Sequence, residues 1–109
     1  MNTMVLCALA LVVSGCAKQP GQIAAMPVAT DPYLQLSCPE LIADRAAKQV
    51  TQAGLEEAQH KAAERDKGAM TVIHIPIAAM TGQDRENEVA HGKGELAAID
   101  AAIQSKGCS

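Results

Sequence analysis

The chain has no tryptophan, no phenylalanine and a single tyrosine, Tyr33. Any core is therefore built from aliphatic side chains and alanine. Excess positive charge is also missing: nine Lys and Arg against twelve Asp and Glu give a formal net charge of −3. None of these charges falls within residues 1–15, so the remainder carries all of it. That balance removes the basic footprint of a nucleic-acid binder. No His-x-x-x-His or Cys-x-x-Cys spacing occurs, and His60, His74 and His91 stand far apart, so a zinc site lacks its usual ligands. A glycine-rich phosphate loop is absent, and a nucleophile such as Ser37 has no base and orienting acid beside it. The expectation is a non-enzymatic chain without a cofactor.

Met4 to Val13 is an uninterrupted apolar run. It is shorter than the roughly 20 residues that span a bilayer as a helix and has the length of a signal-peptide core. It ends in Val13-Ser14-Gly15-Cys16, which resembles the bacterial lipobox: an aliphatic residue three positions before the cysteine, then two small ones. The resemblance implies that Cys16 is alkylated with diacylglycerol, that the chain is cut before it, and that the new amino terminus is acylated. Cys7 would leave with the signal, and Ala17, where retained lipoproteins carry aspartate, implies the outer membrane, periplasmic face. Several acyl chains together anchor stably. Two cysteines, Cys38 and Cys108, then remain in an oxidising compartment.

Cys38 lies in Ser37-Cys38-Pro39-Glu40, a capping-box pattern with proline in the first turn, and so opens a helix. Cys108 follows Lys106-Gly107, a cation and a glycine stop, and so closes one. The midpoint of 38 and 108 is residue 73, inside the apolar, proline-containing stretch 69–80. The spacing predicts an antiparallel two-helix hairpin closed by a disulfide; the alternative, two free buried thiols, is decided by the compartment.

The first helix is expected from Cys38 to Lys67, stopped by Gly68, with Leu41/Ile42, Ala46, Val50, Ala53 and Leu55 as a weak stripe. The second is expected from Gln83 to Lys106, with Val89, Gly92, Leu96, Ile99 and Ile103 as its packing face. Folding about residue 73 sets Val50 near Leu96, Ala47 near Ile99, Ile42/Ala43 near Ile103 and Gly54 near Gly92. It also sets Lys61, Arg65 and Lys67 beside Asp84, Glu86 and Glu88.

Residues 16–36, with Pro20, Gly21, Pro27 and Pro32 and no sustained apolar period, read as the lipidated end and a disordered tether. Extended, such a tether reaches roughly 65 Å. Tyr33 and Leu34 sit where they can cover the open end of the hairpin. At the far end, Ile73, Ile75, Pro76, Ile77 and Met80 form an apolar tip. It either folds back onto the helices or stays exposed to touch an envelope protein or a membrane. Met70, His74 and Met80 are soft ligands on that same loop, so copper binding is the alternative function.

Leu36-Ser37-Cys38-Pro39-Glu40-Leu41, Ile75 to Asp84, Lys93-Gly94-Glu95 and Lys106-Gly107-Cys108 also resemble a family of small proteobacterial lipoproteins. The resemblance implies no activity. It does imply that the tip motif and the cysteine pair belong together. The sequence thus points to a signal in 1–15, a lipidated tether in 16–36 and an all-α stapled hairpin in 37–109. The function expected is structural or interactive, at the envelope, with an accessory part in a secretion or conjugation apparatus as a further alternative.

Overall fold

The computed structural model describes residues 16–80, 82 and 84–108; the signal-like stretch 1–15 lies outside them. Among the described residues the chain is helical and contains no strand. A 3₁₀ turn covers Pro20–Gln22, followed by helices α1 (Asp31–Leu34), α2 (Cys38–Val72), α3 (Ile77–Met80) and α4 (Glu86–Lys106).

α2 starts where the sequence places it. Ser37 Oγ accepts the Glu40 N–H at 3.3 Å and donates to the Glu40 carboxylate at 3.0 Å, while Pro39 occupies the first turn. Its 35 residues span about 50 Å. The helix does not stop at Gly68. A helical glycine costs only about 1 kcal/mol, and Asp66 is buried on one side of it while Ala69 and Met70 are half-buried on the other. The stop comes at Ile73 and His74, whose N–H groups both bond Ala69 C=O and where His74 takes a positive φ of 60°. α4 begins at Glu86 rather than Gln83, its first amide held by Asp84 Oδ1 at 3.0 Å. It ends as expected: Gly107 is left-handed at φ 67°, and Cys108 N–H bonds back to Ile103 C=O at 3.0 Å. Cys38 and Cys108 form a disulfide with their Cα atoms 5.5 Å apart.

The face α2 turns inward agrees with the expected stripe at Leu41, which is fully buried, and departs from it further along. Val50 is 76% exposed and Ile42 37%, whereas Gln52, Gln59 and Asp66 are buried. Arg45, Gln52, Gln59 and Asp66 recur every seven residues, and each makes a polar contact to chain outside α2. Arg45 reaches Asp100 at 3.3 Å, and Gln52 Nε2 donates to Val89 C=O at 3.0 Å. Gln59 Nε2 donates to Asp84 Oδ1 at 2.9 Å, and its Oε1 accepts the Arg85 N–H at 2.5 Å. The register expected from Val50 and Leu96 is therefore corrected. A Cβ on Gly92 would meet Gln52 Oε1, and Gly54 has open space around it, so the two glycines do not face each other. The expected ion pairs change too: Glu86 pairs with Lys18 at 2.9 Å and Glu88 with Arg85 at 2.9 Å.

The largest correction concerns residues 16–36, which pack along the helices as a strap. Gln59 Nε2 donates to Lys18 C=O at 2.8 Å, and Lys93 Nζ donates to the carbonyls of Pro20 and Ile23 at 2.6 and 2.7 Å. Met26 N–H bonds Ala90 C=O at 2.8 Å, and Lys106 Nζ donates to the carbonyls of Leu34 and Leu36. Composition concealed this because the strap is held mainly by its backbone groups, which every sequence has. Ile23 is its buried side chain along the way.

Two small cores result. At the disulfide end, Leu41, Ile99, Ala102 and Ile103 pack together under Tyr33, Leu36 and Cys108. At the other end, the buried residues of the core, among those described, are the alanines Ala17, Ala62, Ala63 and Ala78.

Candidate functional site

The alanine core brings Cys16, Asp66 and Met70 to one end of the molecule. Its centre is Asp66, fully buried. One carboxylate oxygen accepts the Ala17 N–H at 2.8 Å, and the other accepts the Ala78 N–H at 2.5 Å. Charge-assisted bonds of this kind are about twice as strong as neutral ones, and here they join three remote segments. Alanine at positions 17, 62, 63 and 78 lets the backbones approach closely enough for the carboxylate to reach both amides.

Cys16 precedes the clamped Ala17. It is half-buried, carries a free thiol, and lines an open cavity with Ala63, Lys67, Met70 and Thr71. Gln19 continues the attachment, donating to Glu64 at 2.7 Å and meeting His60 Nδ1 at 2.8 Å.

The tip segment both folds back and stays open. α3 presses Ala78 into the alanine core at 0% exposure. Val72 at 78%, Ile73 at 49%, Ile75 at 43% and Met80 at 71% project into solvent around it. Pro76 begins the turn into α3, accepting the Met80 N–H at 3.1 Å. The Ile77 side chain lies outside what the structure describes. Of the soft ligands, Met70 lines the Cys16 cavity, whereas His74 and Met80 are exposed. Among the described residues, no group of three or more His, Cys, Asp or Glu side chains stands together as a metal site. No described helix is long and apolar enough to cross a membrane.

Midway along the body, a groove between α2 and α4 of about 290 Å³ is lined by Lys48, Gln52, Leu55, His91, Gly92 and Glu95. Glu95 takes Lys48 at 2.8 Å, His91 at 3.2 Å and the Tyr33 hydroxyl at 3.3 Å. The hydrogen bond from Lys48, against the opposing effect of desolvation, holds the Glu95 carboxyl below its ordinary range. Lys48 is raised by the same bond, and Tyr33 is raised first by burial and then by the Glu95 charge. The charges in this groove satisfy one another.

Cys16, Ile73, Ile75 and Met80, separated in the sequence, are thus brought to one end, opposite Cys38 and Cys108. Sequence reasoning missed Asp66 because its partners are backbone amides 49 and 12 residues away. The available signal was its place in the polar seven-residue series. No protein-family model, curated protein or solved structure matches this chain.

Proposed function

We propose that this chain is a lipid-anchored protein of the bacterial envelope, facing the periplasm from the outer membrane, and acts as a structural or interaction module without catalysis. The observation that carries the reading is Val13-Ser14-Gly15-Cys16 at the end of an apolar run. Two features support it. The Cys16 thiol is free and partly exposed, as acylation requires, and the Cys38–Cys108 bond suits an oxidising compartment. In this reading the two long helices are one stapled hairpin, and the strap holds the anchored end against it.

Intact mass measurement of the protein isolated from bacterial membranes, with and without reduction and alkylation, tests the proposal. The expected species begins at Cys16, carries acyl chains, and protects both other cysteines until reduced. An unmodified chain retaining residues 1–15 would refute the anchor, and reactive thiols at 38 and 108 would refute the compartment.

A further inference from the structure

The strap changes what a lipid anchor on Cys16 would do. A free tether would let the body drift tens of ångströms from the bilayer. Here Ala17, the next residue, is clamped by a buried carboxylate that also clamps Ala78. The anchored residue therefore lies at the same end as the apolar tip, and the Cys16 cavity is itself lined by Met70 and Thr71, immediately before Val72.

Four large apolar side chains at that end, Val72, Ile73, Ile75 and Met80, have no cover within the described chain sufficient to bury them. At the other end Leu41 and Ile99 are at 0% exposure, and the apolar side chains left open there, Leu34 at 36% and Ile42 at 37%, are less exposed than any of these four. Exposed Lys67 on the same cavity places a cation where lipid phosphates would lie.

We infer that this end rests on the bilayer surface, with Val72, Ile73, Ile75 and Met80 seated among the lipid headgroups and upper acyl chains beside the Cys16 anchor. The inference rests on the anchor reading and names what the tip touches: lipid, of the envelope protein or membrane that the sequence left open. The body then projects with the disulfide outward, and the opposite end is the one presented to the periplasm.

The test uses the mature protein purified from bacterial membranes after its mass has shown the acyl chains. A polarity-sensitive fluorophore is placed on Val72→Cys, on Met80→Cys and, as the reference at the disulfide end, on Gln104→Cys. Each labelled protein is reconstituted into phosphatidylethanolamine–phosphatidylglycerol vesicles. The expected result is blue-shifted emission at positions 72 and 80, quenched several-fold more strongly by brominated lipid than the probe at 104. Equal, water-like emission at all three positions on acylated protein would overturn the inference and leave the anchor standing. An unacylated chain would overturn both. A tip probe that is dry in native membranes and wet in pure lipid would assign the surface to a protein partner. Dryness that depends on protein-to-lipid ratio would assign it to a second copy.

Discussion

Gly94 and Gly54 show how differently one methyl group acts at two positions in this fold. A Cβ at Gly94 would stand 1.9 Å from the Met26 carbonyl oxygen, a backbone atom that cannot swing aside. At Gly54 it would meet nothing within 4 Å. Gly54→Ala is therefore expected to stabilise the protein by about 0.5–1 kcal/mol through helix propensity. Gly94→Ala is expected to destabilise it by about 1–3 kcal/mol and to speed amide exchange around Met26 as the strap lifts; urea midpoints and exchange rates measure both. Glu95 gives a pH signature at the same scale. Its folded pKa lies below the ordinary value of 4.5, so its contribution is complete above that value and is lost as pH falls through the lower one. Lys48 is the mirror case: raised above 10.5, it contributes fully below that value and loses its contribution as pH rises further. Glu95→Gln should flatten the acid limb of stability measured by thermal melts from pH 6 down to about pH 3, within the range where carboxylates titrate. An acid limb of unchanged steepness would show that Glu95 does not carry it.

At the scale of elements, α2 packs through apolar residues at Leu41, Ala62 and Ala63 and, between these, by hydrogen bonds where helices ordinarily continue an apolar stripe. Gln59 carries the most: it holds Lys18 C=O of the strap, the Asp84 carboxylate, and the Arg85 N–H at the start of α4. Removing a buried group with such partners leaves them unsatisfied, at about 1–3 kcal/mol each where water cannot enter. Gln59→Ala is accordingly expected to cost about 2–4 kcal/mol in chemical denaturation and to raise exchange in both the strap and the first turn of α4. A loss confined to α2 would contradict the shared role. The same chemistry explains what could be read in advance. The start of α2 and the end of α4 were legible because Ser37, Pro39, Lys106 and Gly107 act on atoms within a few residues of themselves. The disulfide followed from those two ends. The facing register was not legible, because counting apolar residues selects Ile42 and Val50, which are exposed, over Gln52 and Gln59, which are buried. Of the candidate site, the apolar tip could be read from its run of side chains. The clamp could not, since Asp66 binds backbone amides, and residues 16–36 looked loose because their attachments are largely main-chain.

At the scale of the whole molecule, a small aliphatic core sits at one end and an alanine core at the other, with polar contacts between them. Neither core is large enough to hold a domain of this size with much to spare. The disulfide closes a loop with a sequence separation of 70. In the chain-entropy account, such closure contributes about 4 kcal/mol by restricting the unfolded state. Reduction should therefore lower stability by about that amount, measured as the shift in urea midpoint with and without reductant. Its effect on the folded molecule should also be uneven. The Leu41, Ile99 and Ile103 core lies next to the bond, whereas the Asp66 clamp binds its partners at the other end. After reduction, amide exchange should rise first in 31–45 and 98–106, with 59–66 remaining protected longest. Exchange rising together at both ends would mean that the polar contacts of Gln52 and Gln59 couple the two cores into one cooperative unit. In that case the staple would govern the Asp66 end as strongly as the end it joins.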